Sequence, residues 1–226
     1  MDLKETVRSA LPRDSKLYQT IRTIYRYRSP ASLRRAVSMR IRRDSRFDSS
    51  ELEMASLCPT EILDEVLSQY APTSWLDVGC GTGQAMLYLL AKGIDCVGLE
   101  GSTAAIEESV VGDRIQCVNL NDPVSLGREF DLVWCYEVAE HIHPKFVNAL
   151  LDTLTGHGNV LVMSAAKPGQ GGRGHFNEQP PEYWIEKLES RDFLLETEFT
   201  ESLHALNVDF SANMLAFRHL PDGRVG

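Results

Sequence analysis

The sequence lacks several features that mark special classes of protein. It contains no run of about 18 apolar residues, so no membrane-spanning helix is predicted. Its first residues contain no apolar stretch of the kind that a secretory signal needs. Five cysteines are present without a Cys-x-x-Cys pair, and an odd number of this kind indicates reduced thiols in a cytoplasmic protein.

What remains is the composition of an ordinary globular protein. The chain has 226 residues, of which 43% are hydrophobic and 24% charged. These values are close to globular averages and exclude a largely disordered chain or a collagen-like repeat. The length suits one domain with a small appendage.

Charge divides the chain into two parts. Residues 1–50 carry 13 Lys and Arg against 5 Asp and Glu, a net charge of +8. Residues 51–226 carry a net charge of −17, which gives −9 for the whole chain. The pattern predicts a basic helical N-terminal segment at 1–50 joined to an acidic domain at 51–226.

Short apolar runs alternate with helical patterns beyond residue 50. Strands are predicted at 74–78, 94–99, 114–118, 130–136, 159–163, 193–198 and 213–217. Helices are predicted at 59–70, 84–92, 103–110, 145–155 and 181–190. This alternation predicts an α/β fold with a mostly parallel sheet and helices on both faces. Ligands in such folds bind at the carboxyl ends of the strands.

A glycine-rich loop follows the first predicted strand. Residues 76–83 read Leu-Asp-Val-Gly-Cys-Gly-Thr-Gly, and glycines there permit a tight turn and close approach of a ligand. The N-terminus of the next helix favours an anionic group at the same place. The second strand ends at Glu100, 21 residues after Gly79, where a carboxylate can accept two hydrogen bonds from a ribose diol.

These motifs resemble those of the class I S-adenosylmethionine-dependent methyltransferases. Residues 76–83 are similar to the first motif of that family, residues 98–100 to its second and residues 130–137 to its fourth-strand motif. The resemblance spans about residues 55–217 and implies a Rossmann-like seven-stranded sheet whose last strand is antiparallel. It also implies S-adenosylmethionine as cofactor, with Glu100 at the ribose. The implied cofactor-binding residues are Asp77, Gly79, Cys80, Gly81, Gly83, Glu100, Asn119, Leu120 and Glu137.

Acids and histidines cluster after the fourth predicted strand. If the chain is helical from Glu137, this residue shares a helix face with Glu140 and His141. Two carboxylates and an imidazole suit a divalent cation, and His175 after the fifth strand could be a fourth ligand. Similar clusters occur in metal-dependent small-RNA 2′-O-methyltransferases and quinone-biosynthesis O-methyltransferases. The alternative is that His141 positions the acceptor or acts as a base without a metal.

The loop after the fifth strand contains four glycines within residues 169–174, which predicts a mobile segment. A long loop at a ligand-bearing strand end is often a lid. His175 and Asn177 would then be the polar functional residues of the lid, and Arg173 would bind an anionic substrate. The alternative is a plain surface connection.

The sequence therefore predicts transfer of a methyl group from S-adenosylmethionine to a small molecule or glycan, at a hydroxyl oxygen. His141 and His175 are the predicted catalytic residues, acting directly or through a divalent cation. One alternative is a metal-dependent RNA 2′-O-methyltransferase. Another is a non-catalytic, cofactor-binding partner protein.

The basic segment at 1–50 is expected to form a helical cap over the cofactor site. Peripheral contact with an anionic membrane surface is the alternative. Nucleic acid is not favoured as a partner because no RNA-binding signature accompanies the arginines. The oligomeric state stays open.

Overall fold

Seven strands form a single sheet in the computed structural model, which describes residues 56–220. They are β1 (Ser74–Val78), β2 (Asp95–Glu100), β3 (Ile115–Cys117), β4 (Leu132–Cys135), β5 (Val160–Ser164), β6 (Phe193–Leu195) and β7 (Met214–His219). Their order is β3-β2-β1-β4-β5-β7-β6. β7 runs antiparallel to β5 and β6, and the other pairs are parallel. The predicted antiparallel last strand is confirmed, whereas the basic segment at 1–50 lies outside the described residues.

Six α-helices lie before and between the strands in the described part of the chain. They are α1 (Thr60–Tyr70), α2 (Gln84–Ala91), α3 (Thr103–Glu107), α4 (Val147–Thr155), α5 (Pro181–Glu189) and α6 (Thr197–Ala205). Single 3-10 turns occur at Gly112–Arg114, Ala139–His141, Pro144–Phe146 and Ser211–Asn213. None of these helices has the length and hydropathy needed to cross a bilayer.

Alternating strand residues build a core on each face of the sheet. Trp75 and Leu132 pack on one face, against apolar side chains of α1, α2 and α6. Leu76 and Val133 point to the other face, against α4 and α5. Full burial of such side chains contributes about 1.5–3 kcal/mol each, so both layers hold the sheet and fix its carboxyl edge. The predicted covering of both faces by helices is confirmed.

Most predicted elements are found within a few residues of their expected bounds, but the strand predicted at 193–198 is wrong at its end. β6 stops at Leu195, and α6 begins at Thr197. Phe199 and Leu203, four residues apart, bury one side of this helix against the sheet. The apolar spacing that favours a helix therefore prevails over the short alternating run before it.

All five cysteines lie among the described residues, and all are free thiols.

Candidate active site

A cavity of about 1340 Å³ lies at the carboxyl edge of the sheet. Its walls come from the segments that follow β1, β2, β3, β4 and β5. Eight of the nine predicted cofactor residues line it, namely Asp77, Gly79, Cys80, Gly81, Glu100, Asn119, Leu120 and Glu137. The cavity also includes His141 and His175, so both predicted catalytic residues share it with the glycine loop.

The glycine loop between β1 and α2 needs its glycines for conformation and for space. Gly79 has φ +78° and Gly81 has φ +55°, in the region that favours glycine. A Cβ on Gly79 would lie 2.3 Å from Cγ2 of Val138, so a side chain there would displace the segment after β4.

Gly83 is the predicted cofactor residue that does not line the cavity. It is the N-cap of α2 with φ +81°. A Cβ there would lie 2.6 Å from Cγ2 of Val111, so the structure gives Gly83 a packing role beneath the loop.

Glu100 joins the glycine loop to the start of α3. Its Oε2 accepts a hydrogen bond from the Gly81 N–H at 2.8 Å, and its Oε1 accepts one from the Ser102 N–H at 2.7 Å. Each carboxylate oxygen has a second lone pair, so both remain able to accept from a ribose diol. The sequence analysis missed Ser102, which lines the cavity and caps α3 through its Oγ.

Asp77 places a second acid in the cavity. It is 3% exposed, and burial together with the nearby Glu100 raises the pKa of Asp77 to about 8. A ligand with positive charge bound in this cavity would favour the ionised form of Asp77 and lower its pKa.

Asn119 and Leu120, two of the implied cofactor-binding residues, follow β3. Asn119 is exposed, its Oδ1 accepts from the Asn121 N–H at 3.2 Å and its Nδ2 donates to Asp122 Oδ2 at 2.8 Å. Leu120 beside it is 8% exposed and supplies apolar surface. Asn119 therefore shapes the turn, and Leu120 could pack against a planar ring.

An aromatic wall, which the sequence analysis missed, lines the cavity after β4. The Tyr136 ring stacks on Trp134 with centroids 5.4 Å apart, and Phe210 meets Tyr136 edge-on at 6.2 Å. Phe210 has φ +62°, unusual for a bulky residue and often associated with functional sites. No local motif in the sequence brings Phe210 to β4.

Glu137 does not begin a helix, so the prediction that it shares a helix face with Glu140 and His141 is wrong. Its φ is +56°, and helical backbone starts only with the 3-10 turn at Ala139–His141. Ser164 at the end of β5 holds this conformation: its Oγ accepts from the Glu137 N–H at 2.7 Å and donates to Glu137 Oε1 at 2.8 Å.

The Glu140 side chain is completely buried behind the cavity. Among the described residues, neither of its carboxylate oxygens has a hydrogen bond of good geometry. Burial and the neighbouring Glu137 both raise the pKa of Glu140. A positive charge bound beside this buried carboxyl would favour its ionised form and lower its pKa.

Three of the four predicted metal ligands come together. One ligand atom each from Glu140, His141 and His175 lies within 4.8 Å of the other two. We refer to these residues as the triad, and Glu137, bound to Ser164, is not a member of it. The two histidine rings are perpendicular, with centroids 5.0 Å apart.

The backbone determines which nitrogen His141 offers. Its Nδ1 lies 3.1 Å from the Gly174 carbonyl oxygen. A carbonyl only accepts, so Nδ1 carries the hydrogen and Nε2 keeps its lone pair. Burial lowers the pKa of His141, which favours the neutral ring needed in a ligand or a base.

The loop predicted to be mobile is tied to the triad. The N–H groups of Phe176 and Asn177 both donate to the Glu140 carbonyl oxygen, at 2.9 and 3.0 Å. Arg173 lines the cavity, whereas Asn177 is 1% exposed and is not among the lining residues. Closure of this loop as a lid stays a prediction.

Solved structures with this fold include several methyltransferases. A sugar N-methyltransferase from Streptoalloteichus is 16% identical, with 80% of this chain and 92% of that chain covered and a TM-score of 0.55. Magnesium protoporphyrin IX methyltransferase from Synechocystis is 17% identical, with 71% and 84% covered and a TM-score of 0.52. The methyltransferase domain of bacterial CtHen1 is 18% identical, with 70% and 96% covered and a TM-score of 0.52.

A comparison with curated protein sequences finds no match. Residues 50–196 match the family described as "Methyltransferase domain", which is more than half of the chain. This match covers the glycine loop, Glu100 and the triad. The chain therefore belongs to the methyltransferase-domain family and is an S-adenosylmethionine-dependent methyltransferase.

Proposed function

We propose that this enzyme methylates a hydroxyl oxygen of a small molecule or glycan, with a divalent cation bound by the triad beside the acceptor. One observation carries the proposal. His141 and His175 of the triad share a cavity with the glycine loop, Glu140 lies buried behind it, and one ligand atom from each of the three lies within 4.8 Å of the other two.

The residues around the cavity fit S-adenosylmethionine. Gly79 and Gly81 line the cavity, and Glu100 retains acceptor capacity for the ribose hydroxyls. The Glu100 carboxylate favours a cationic ligand, and such a ligand would in turn favour the ionised form of Asp77. When bound, S-adenosylmethionine supplies an electrophilic methyl group on a sulfonium centre.

The triad fits a divalent cation with nitrogen and oxygen ligands. Glu140 would contribute a carboxylate, and His141 would contribute Nε2 because its Nδ1 is bonded to Gly174. A bound cation supplies positive charge that lowers the pKa of an acceptor hydroxyl. His141 and His175 line the cavity and would act through the cation. With Nδ1 hydrogen-bonded and Nε2 on the cation, neither ring keeps a free lone pair, so the proton of the acidified hydroxyl would pass to solvent as methyl transfer proceeds.

The aromatic wall supports an acceptor with a flat or ring-shaped apolar face. Tyr136 and Phe210 present ring surfaces to the cavity, and such rings pack well on the apolar face of a sugar. The sugar N-methyltransferase of the same fold guides the choice of acceptors to test, although it shares only the fold.

The test is methyl transfer from isotopically labelled S-adenosylmethionine to a panel of methyl hexosides, nucleotide sugars and a short RNA. The enzyme is stripped with EDTA and assayed with and without Mn²⁺. We expect a methyl ether product, Mn²⁺-dependent rates and a loss of at least about 100-fold in Glu140→Gln. Glu108→Gln, an exposed acid after α3, is the matched control.

An N-methylated product or full activity in EDTA would contradict the proposal. Activity on the RNA alone, with a steep decline as salt increases, would instead favour the RNA 2′-O-methyltransferase alternative.

A further inference from the structure

Glu178 does not line the cavity but holds the loop that does. Its Oε2 accepts a hydrogen bond from the Gly169 N–H at 2.8 Å, and its Oε1 accepts one from the Gly171 N–H at 2.6 Å. The same Oε1 lies 2.9 Å from Nδ1 of His175. The Glu178 carboxylate therefore holds two backbone N–H groups of the loop and the imidazole ring of His175.

This contact determines where the hydrogen of His175 resides. A carboxylate oxygen has no hydrogen to donate, so Nδ1 of His175 is the donor, and in the neutral ring Nε2 carries the lone pair. Gly174 imposes the same arrangement on His141. Both rings thus bond to the loop or its anchor through Nδ1, so Nε2 is the nitrogen that remains available as a ligand.

The loop also leaves room for the ring. A Cβ on Gly172 would lie 2.3 Å from Nε2 of His175 and 2.5 Å from its Cε1, so only glycine lets the ring occupy this position. The Glu178 bond and the open face of Gly172 therefore select one place and one hydrogen arrangement for His175. The side chains are 10% (His175) and 18% (Glu178) exposed, so little water competes for the bond.

We infer that Glu178 is a positioning residue, which fixes the Nδ1–H tautomer of His175 and directs Nε2 towards the triad. The inference rests on the proposed function, because the tautomer of His175 matters only if this residue serves the triad. Carboxylates that hydrogen-bond a ligating histidine increase its basicity and orient its ring, and their loss typically costs about 10- to 100-fold in metal affinity.

The experiment records ¹⁵N NMR spectra of the histidine side chains in the full chain at one fixed pH, without metal. The protein has six histidines, and a His175→Gln spectrum assigns the relevant signals. Wild type is compared with Glu178→Ala and Glu178→Gln. Mn²⁺ affinity of each protein is measured in parallel by EPR titration. Glu182→Gln, an exposed acid on α5, is the charge-matched control.

Wild type and Glu182→Gln should show the Nδ1–H tautomer of His175. Glu178→Ala should show a mixed or reversed tautomer and a Mn²⁺ dissociation constant about 10- to 100-fold higher. Glu178→Gln, which retains an acceptor oxygen, should lie between them. It also keeps the test available if Glu178→Ala does not fold.

An unchanged tautomer in folded Glu178→Ala would overturn the inference, as would an Nε2–H tautomer in the wild type. A Mn²⁺ affinity that stays the same while the tautomer changes would also overturn it. If the wild type binds no Mn²⁺, the cation part of the proposed function fails, and the tautomer comparison alone decides whether Glu178 positions His175.

Discussion

Asp77 and Glu100 face the same cavity but differ in their partners. Glu100 accepts two backbone hydrogen bonds, whereas Asp77 is raised to a pKa of about 8 by burial and by Glu100. At the scale of single residues, Glu100 is therefore a fixed hydrogen-bond acceptor, and Asp77 is a carboxyl that is largely protonated at neutral pH. Each assignment leads to a separate prediction.

Replacing Glu100 by Ala should weaken binding of S-adenosylmethionine by about 10- to 100-fold, because hydrogen bonds to a charged group contribute about 1.5–3 kcal/mol. Calorimetric titration measures this directly. Glu107→Ala, an exposed acid on α3, should bind as wild type does. Equal affinities in the two variants would remove Glu100 from the cofactor site.

Asp77 should make the ligand-free protein less stable as pH rises. Its pKa is about 8 when folded and about 4 when unfolded, so the folded state binds more protons between these values. The free energy of unfolding should therefore fall with pH, by up to about 1.4 kcal/mol per unit from this group. Urea unfolding at pH 5 to 9 measures the slope.

Asp77→Asn mimics the protonated carboxyl and should flatten that slope, whereas the exposed Asp113→Asn should leave it unchanged. Identical slopes in wild type and Asp77→Asn would show that Asp77 is ionised in the folded protein throughout this range.

At the scale of elements, the glycine loop and the segment after β4 are packed against each other. Gly79 and Val138 meet where a Cβ would clash at 2.3 Å. Since Val138 lies between the loop and the turn that carries Glu140, this contact joins the cofactor side of the cavity to the triad side.

Gly79→Ala should destabilise the protein by more than Gly93→Ala. Gly93 has φ +86° and open space around it, so alanine there costs only the backbone strain, about 1–2 kcal/mol. Alanine at Gly79 adds overpacking of about 1–3 kcal/mol. The double variant with Val138→Ala should recover most of the difference, as measured by urea unfolding. No recovery would mean that the contact with Val138 is unimportant.

The bounds of helices and strands were predictable where residues close in the sequence determine them. The bounds of β1 agree with the prediction because an apolar run ends at the glycine turn. The helix α6 was not predicted, since the run at 193–198 also suits a strand. The strand β6 ends at Leu195. The next residue, Glu196, accepts hydrogen bonds from Arg218 Nε at 2.9 Å and from the Tyr70 hydroxyl, and both partners are distant in the chain.

At the scale of the whole molecule, the cavity draws on segments that follow five strands. Eight of the nine cofactor residues implied by the sequence line it, because parallel strands bring their carboxyl ends to one edge. The sequence could not identify Ser164, Phe210 or Glu178, whose contacts are made 27, 74 and 3 residues away in the chain with Glu137, Tyr136 and His175. For Glu178 the separation is short, but no sequence signature predicts how the loop after β5 folds around it.

The left-handed backbone of Glu137 illustrates the same limit. Its identity favours a helix, and the predicted stacking on Glu140 follows from that preference. The bonds to Ser164 on the neighbouring strand hold it at φ +56° instead. Tertiary contacts therefore determine which acids join the triad.

The central claim is that S-adenosylmethionine and a divalent cation bind side by side in one cavity. The most direct measurement is the NMR signal of ¹³C-methyl S-adenosylmethionine bound to the protein, with Mn²⁺ compared against Mg²⁺. Mn²⁺ at the triad should broaden the methyl signal severely in wild type and leave it sharp in Glu140→Ala, while Mg²⁺ should broaden neither. A bound methyl signal that stays sharp with saturating Mn²⁺ would contradict the account.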